Sequence, residues 1–312
     1  MRSRKLLADG YAYFFGKSSF QYIHSSDQFF LYPVDLRFTI KREDIYYTPK
    51  DAHGLPQKEY HSVGLQYNPT RMAAYALGHW NNYKIESCPS SEKEFIKAAN
   101  WFLDNSDGLW RYTFDWGQET SPWISCMSQG EGISVLVRAY SLTQIKDYLE
   151  AAQRAAVPFT KSIQDGGVLS RLPKSNDLFF EEYPSGTAKH VLNGYLYSLI
   201  GIVELCRFVP EAADLCRLDE HLSSLENNIS RWDMGFWSAY DLEGEGQKVR
   251  NYTTFDYHSH HLAQLFYLSE TLDSDYLKQV CKRWSNYSRS LKNRLKAFSG
   301  KVKYRIKVPA QC

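Results

Sequence analysis

The chain has 312 residues, of which 43% are hydrophobic, enough for one large domain with a sizeable core or two modest ones. The formal net charge is only +2, so the charge of the whole chain indicates no polyanionic partner such as a nucleic acid. The six cysteines form no CxxC pair and have no zinc-site spacing, which argues against a zinc-binding module and favours reduced, buried thiols in a cytosolic protein.

At the N-terminus, two arginines and a lysine precede a short apolar stretch that Asp9 interrupts, which is not the pattern of a secretory signal. No window of the sequence approaches the roughly 18 apolar residues of a membrane span. We therefore expect a soluble, cytoplasmic protein with no membrane partner.

Residues 1–66 are rich in aromatic and turn residues and predict an N-terminal β-hairpin or extended segment that contributes to a cleft. The alternating runs Phe29–Tyr32 and Asp35–Ile40 predict strands within it. Two prolines and a glycine predict a loop over 48–56.

From about Asn68 the apolar period becomes helical, and Pro69 stands where a helix would begin. Further helices are predicted over 91–105, 129–147, 149–163, 189–208, 212–230, 258–271 and 274–297. Roughly eight helices in successive hairpins predict a mainly α fold, an incomplete α/α toroid over residues 67–312. The helix over 189–208 reads as amphipathic, with one apolar face that leaves Asn193 and Tyr197 elsewhere on the helical wheel.

The C-terminal end is strongly basic. Ten Lys or Arg residues and no Asp or Glu lie between Lys282 and Cys312, which leaves −8 on residues 1–281. Two interpretations stay open. The commoner one is a solvated final helix and tail, and the other is a docking strip for an anionic polymer, whose binding would weaken with salt.

Two carboxylates and a phenol, in Glu181–Tyr183, stand shortly before the helix over 189–208. Chemistry that removes a weakly acidic C–H proton needs such groups held beside a substrate. Other polar clusters, Trp237–Asp241 and Asp256–His261, lie in loops between predicted helices. Because such loops gather at one mouth of a toroid, we expect the three segments to converge.

Several separated motifs resemble, in the same order, the C-terminal catalytic domain of D-glucuronyl C5-epimerases over most of residues 60–290. They are the segments Trp123–Gly130, Ser134–Tyr140, Glu181–Pro184, Val191–Gly201, Ala239–Leu242 and Asp256–His258. The resemblance implies an isomerase that inverts C5 of D-glucuronate to L-iduronate in heparosan or heparan-sulfate-type glycosaminoglycans. Animal members carry an additional β-barrel and a Golgi anchor that this chain lacks, so we expect a short bacterial member.

By this resemblance the catalytic residues are Glu182, Tyr183, Tyr240 and Tyr257. We interpret Glu182 as the base or its orienter and Tyr257 as the opposing acid/base, with the other two phenols as oxyanion donors or positioning groups. If the Glu182 segment is extended, neighbouring side chains point to opposite sides, and a bend at Pro184 would be needed for both to share the site.

Substrate contacts are less closely specified. The family's arginine after the tyrosine–aspartate–leucine motif, implicated in holding the substrate carboxylate, is Glu243 here, so Lys248 or Arg250 from the same loop would replace it. The predicted substrate-binding residues are Asn193, Tyr197, Gln129, Arg250, Lys248 and His258. The run Gln129–Gly132 resembles a phosphate loop only superficially, because it lacks the lysine and the strand context.

Alternatives remain open from the residues alone. A polysaccharide lyase begins with the same proton abstraction, and a non-catalytic glycan-binding domain would keep the fold with a decayed site. A hydrolase is disfavoured because Glu182 has no motif partner. The spacing of His258 and His261 would suit a metal, yet no acid or cysteine completes a set, so we expect no metal and no other cofactor. The resemblance also implies a homodimer.

Overall fold

The structure is a computed structural model that describes residues 10–25, 27, 29–105, 107–184, 188–247 and 250–308. Its long helices are α1 (Pro69–Glu86), α2 (Pro89–Asp104), α3 (Cys126–Thr143), α4 (Lys146–Ala156), α5 (Leu192–Cys206), α6 (Leu218–Asn228), α7 (Phe255–Thr271), α8 (Asp275–Arg289) and α9 (Leu291–Lys307). Shorter helices are Arg37–Ile40, Glu43–Tyr46 and Ala212–Leu215. Two antiparallel strand pairs are β1 (Lys58–Tyr60) with β2 (Gly64–Gln66), and β3 (Leu169–Arg171) with β4 (Leu178–Phe180).

The helices form two layers. The odd-numbered helices α1, α3, α5 and α7 pack side by side, and α2, α4, α6 and α8 each pack against the inner helix that precedes them. Burial separates the layers, because α5 is buried on every side from Leu192 to Leu205, whereas α8 buries a single stripe that includes Val280 and Trp284. This arrangement of successive hairpins is an α/α toroid, so the predicted mainly α fold is confirmed.

The N-terminal segment links the first and last inner helices. The side-chain amide of Asn81, on α1, bonds the backbone N–H and carbonyl of Tyr32. The Tyr22 ring stacks on Phe266 of α7, with ring centroids 5.6 Å apart, and its hydroxyl donates to Glu270. The segment therefore spans the interval between α1 and α7 in the inner layer.

Helices α3 and α5 approach each other closely through two glycines. A Cβ added to Gly201 would lie 2.3 Å from the Gly130 carbonyl oxygen, and one on Gly130 would lie 2.5 Å from the Tyr197 carbonyl oxygen. The same two helices share an ion pair between Arg138 and Glu204, with nitrogen–oxygen distances of 2.5 and 2.6 Å and both side chains fully buried. The close glycine contacts and the buried ion pair thus fix how α3 and α5 align along each other.

The predicted strands at Phe29–Tyr32 and Asp35–Ile40 are wrong. Arg37–Ile40 is a short helix, whose start is favoured because the Asp35 carboxylate accepts a hydrogen bond from the Arg37 backbone N–H. The backbone after the turn at Phe29 pairs with the Asn81 amide rather than with a strand. A hairpin does occur in the segment, but it is β1–β2, further along the chain.

The helix predictions need three corrections. The predicted helix 212–230 is interrupted between Ala212–Leu215 and α6, and the predicted helix 274–297 breaks at Ser290, whose hydroxyl caps α9. Helix α5 is not amphipathic, because an inner helix is surrounded by the rest of the toroid and buries every face. Within the described ranges, no helix combines the length and apolarity needed to cross a lipid bilayer.

Candidate active site

Glu181 anchors the chain between β4 and α5. Its carboxylate accepts hydrogen bonds from Ser170 Oγ at 2.8 Å and from the backbone N–H of His190 at 3.1 Å. Nδ1 of His190 lies 2.6 Å from the same carboxylate. Glu181 is completely buried, so this acid holds the segment in place rather than facing a ligand.

Glu182 lines a cavity whose lining does not include Glu181. The backbone bends at Glu182 and Tyr183. The side chains of Glu182 and Tyr183 therefore line one cavity. The bend that allows this lies before Pro184, and not at Pro184 as the sequence had suggested.

The Glu182 carboxyl group combines an unpartnered oxygen with a raised pKa. Its Oε2 is buried without a hydrogen-bond partner among the described residues. A Cβ on Gly194, in the first turn of α5, would lie 2.7 Å from that oxygen, so the glycine makes room for the carboxylate. Burial raises the pKa of Glu182 to about 7, against a hydrogen bond from Tyr183 that lowers it. A carboxyl group with that pKa exchanges protons readily near neutral pH.

Three phenols stand around this carboxylate. The rings of Tyr240 and Tyr257 meet edge to face with centroids 5.3 Å apart, and Tyr183 lies 6.1 Å from the Trp123 ring. Although 40% of Tyr257 is accessible, its surface opens into a cavity, and burial raises its pKa to about 12. Burial also raises the pKa of Tyr183 and Tyr240 well above the usual range. All three phenols therefore stay protonated and act as hydrogen-bond donors at neutral pH.

Two adjoining cavities of about 680 and 320 Å³ share Trp116, Tyr183 and Tyr257, and we call them together the groove. Tyr240 lines the larger cavity and Glu182 the smaller one. The four predicted catalytic residues therefore meet at the junction of the two cavities, although they come from distant parts of the chain.

The larger cavity has a mixed charged lining. Cationic side chains come from Lys189, Lys301 and Arg305, and acidic ones include Asp241 and Glu243. Oδ2 of Asp241 accepts a 2.6 Å hydrogen bond from Asn251, and burial raises the pKa of Asp241 to about 6. Fixed cations beside phenols favour a ligand that is both anionic and rich in hydroxyl groups.

The structure does not bring three of the predicted substrate-binding residues into the groove, and other groups of the protein occupy their polar atoms. The Gln129 amide accepts from Trp110 N and donates to the carbonyl oxygens of Gly108 and Ala155. Arg250 donates to the carbonyl oxygens of Arg231 and Asp241. His258 bonds Ser238 and the Trp284 carbonyl through its two ring nitrogens. All three are buried and lie outside the groove lining.

Asn193 and Tyr197 also lie behind the groove rather than in it. Both are buried on α5, and the Tyr197 hydroxyl bonds His260 Nδ1 at 3.0 Å. His260 itself lines the larger cavity, so Tyr197 positions a groove residue. Lys248 lies outside the described residues.

Sequence reasoning missed one acid close to Glu182 and several residues of the groove lining. Glu131, on α3, is buried with Oε2 unpartnered among the described atoms, and burial raises its pKa well above the usual range, with the Glu182 charge adding to the effect. The sequence did offer one signal for Glu131, because it is a lone acid within the apolar run after Gln129. Lys301, Tyr304 and Arg305 belong to the basic C-terminal end, whose role had stayed open. In the described part of the chain, no group of three His, Cys, Asp or Glu side chains is arranged to hold a metal ion.

Comparisons with known proteins found similar sequences and a similar fold. A D-glucuronyl C5-epimerase of Caenorhabditis elegans is 29% identical over 217 residues, which cover 62% of this chain but 35% of the relative. An uncharacterized protein of Methanocaldococcus jannaschii is 29% identical over 180 residues, 56% of each chain. The chain thus spans less than two thirds of either relative. A solved unsaturated glucuronyl hydrolase from Bacillus sp. GL1 superposes with a TM-score of 0.46 at 14% identity, covering 88% of this chain and 66% of that chain.

A family model described as the D-glucuronyl C5-epimerase C-terminus matches residues 104–286. The match contains Glu182, Tyr183, Tyr240 and Tyr257, and it ends before α9 begins. Because the match extends over more than half of the sequence, this chain belongs to the family of the D-glucuronyl C5-epimerase C-terminus.

Proposed function

We propose that the protein is an epimerase that inverts C5 of D-glucuronate to L-iduronate within a heparosan-type polysaccharide. One observation carries the proposal: a buried carboxyl group with one unpartnered oxygen and three phenols meet at the junction of a single groove. Membership of the epimerase family supports the same reaction. The motif resemblance supports heparosan as the first polymer to test.

The difficulty of the reaction is electrostatic. The C5 hydrogen of a uronate lies α to a carboxylate, so its removal adds a second negative charge to a group that is already anionic. Preorganised donors aimed at the carboxylate oxygens are the main way in which an enzyme lowers such a barrier. Tyr183 and Tyr240 supply phenolic O–H groups at the groove, which stay neutral because desolvation raises the pKa of both.

Inversion requires proton transfer on both faces of the sugar. Ionised Glu182 takes the C5 proton, and the C–H electron pair passes into the carboxylate to give an enediolate. The Tyr257 hydroxyl then gives its proton to the other face of C5, which restores the carboxylate with inverted configuration. The site returns to its starting state when the proton on Glu182 is lost to solvent and the Tyr257 phenolate regains one.

Incubation with heparosan separates the candidate functions. An epimerase gives iduronate signals in the NMR spectrum while the chain length stays constant. A lyase instead gives shorter chains with an unsaturated end that absorbs in the ultraviolet, and a glycan-binding domain changes neither. Shortened chains, or an unchanged spectrum under conditions where the polymer binds, would remove the epimerase assignment.

The rate should depend on pH through Glu182. Only the ionised carboxylate accepts a proton, and burial raises its pKa to about 7. We therefore expect kcat/KM for glucuronate conversion to rise with pH through about 7 on a single ionisation, rather than through the ordinary carboxyl value of about 4.3. A pH–rate profile measures this directly. A flat profile between about pH 6 and pH 8 would contradict the role of Glu182.

Gly194 should be needed for the position of Glu182. In Gly194→Ala the new methyl group would lie 2.7 Å from the carboxylate and force it to move. Displacement by about an ångström costs on the order of 10²-fold in rate. We expect that loss in kcat, together with an unchanged circular dichroism spectrum, because alanine is a good helix former. Wild-type activity in this variant would show that the Glu182 position is not critical.

A further inference from the structure

Helix α9 forms part of the groove wall. Lys301, Tyr304, Arg305 and the residue that follows the helix, Val308, all line the larger cavity. Their spacing of three, four and seven residues puts them on one face of a helix. The basic C-terminal end is therefore more than a solvated tail.

The helix is held firmly against the rest of the protein. Ala297 is fully buried, and a Cβ on Gly300 would collide with the Tyr252 ring at 2.5 Å. Directly after this contact, Lys301 Nζ donates to Asn251 Oδ1 at 2.8 Å, and the Asn251 amide in turn bonds Asp241. The Lys301 ammonium group is thus fixed by a docked helix and a hydrogen-bond network.

Lys301 lies beside Tyr240, one of the two phenols proposed as oxyanion donors. Its Nζ is 6.0 Å from the centroid of the Tyr240 ring and 5.5 Å from that of Tyr304. Arg250, one of the two cations that the sequence had suggested for the substrate carboxylate, is directed instead at backbone carbonyl groups. A cation is needed where the enediolate charge develops. Lys189 lies 6.0 Å from the Tyr183 ring centroid. Lys301 lies equally close to Tyr240, where a docked helix holds it.

We propose that the groove-facing side of α9 is an anion-binding subsite for a uronate polymer. Lys301 binds the carboxylate of the uronate that reacts at C5, and Arg305, one helical turn further on, binds the next anionic group along the chain. Tyr304 lies between them and stacks on a sugar ring. The assignment rests on the proposed epimerase function and adds to it a substrate contact from a helix outside the family match.

Four variants test this subsite with heparosan as the probe. Lys301→Met should lower kcat by about 10²–10³-fold, the usual loss when a donor to a developing oxyanion is removed. Lys301→Arg keeps the charge and should recover part of that loss. Arg305→Met should raise KM and leave kcat unchanged, because its contact is made equally in the ground and transition states. Lys303→Met is the matched control, since Lys303 is exposed on the same helix and is not part of the groove lining.

Binding of heparosan, followed by tryptophan fluorescence at several salt concentrations, provides a readout that does not depend on activity. Wild type and Lys303→Met should bind alike, and Arg305→Met should bind more weakly with a smaller salt dependence. Equal kcat and equal binding for Lys301→Met and Lys303→Met would overturn the subsite. A loss of kcat in Lys189→Met that is absent from Lys301→Met would overturn it as well. A wild-type protein that binds through α9 without inverting C5 would refute the proposed function and leave the subsite standing.

Discussion

Tyr257→Phe is expected to abolish C5 inversion while leaving the fold and polymer binding close to wild type. The change removes one oxygen from a ring that lies 5.3 Å from Tyr240 and opens into the groove, so packing is kept and the proton donor is lost. A proton-transfer group contributes about 10²–10⁴-fold to a rate, and we expect a loss in that range. Iduronate formation by NMR, with circular dichroism on the same sample, measures both properties.

The matched control is Tyr276→Phe, which removes the same atom from an equally accessible tyrosine on α8. Tyr276 is not part of the groove lining, so its variant should keep full activity. Glu182→Gln should lose activity to a similar extent as Tyr257→Phe. Retained inversion in Tyr257→Phe, or an equal loss in Tyr276→Phe, would contradict the role given to Tyr257.

Arg138→Met is expected to be the most destabilising single change outside the groove. It leaves the fully buried carboxylate of Glu204 without its partner between α3 and α5. Removing one member of a buried ion pair costs about 3–5 kcal/mol in the free energy of unfolding. Urea denaturation of the variant should show this as a lower midpoint with an unchanged slope.

Two companion variants separate the buried charge from simple loss of contact. Arg138→Met combined with Glu204→Met should recover much of the stability, because no charge is then left unpaired. Arg217→Met breaks an exposed pair with Glu220 and should cost no more than about 1 kcal/mol. A double variant as unstable as Arg138→Met would mean that packing, and not the buried charge, sets the cost.

The long helices were predictable because their signals are local. Asn68 and Pro69 begin α1 as predicted, since an asparagine cap and a proline in the first turn act within a few residues. The strands predicted at Asp35–Ile40 failed because alternation of polar and apolar residues does not reveal a local Asp35 hydrogen bond. Helix α5 was assigned one apolar face because the layer in which a helix lies depends on the whole fold.

In the site too, some features could be predicted from local sequence motifs and others depend on the whole fold. Glu182, Tyr183, Tyr240 and Tyr257 were predicted through motifs, and the structure brings them to one groove. The contacts of Gln129 could not be predicted from the sequence. A glutamine that bonds three backbone groups has the same local sequence signal as one that binds a ligand. The position of Lys301 in the groove wall depends on how α9 packs against the rest of the fold, which no local sequence pattern predicts.

The central claim is that Glu182 and Tyr257 act on C5 from opposite faces of the sugar. Heparosan incubated with the protein in heavy water, and analysed by NMR early in the reaction, tests it most directly. Two separate groups predict iduronate that carries deuterium at C5, since its new hydrogen comes from Tyr257 after exchange with solvent. Iduronate that keeps its original hydrogen would mean that one group carries the same proton from face to face, and it would contradict the account.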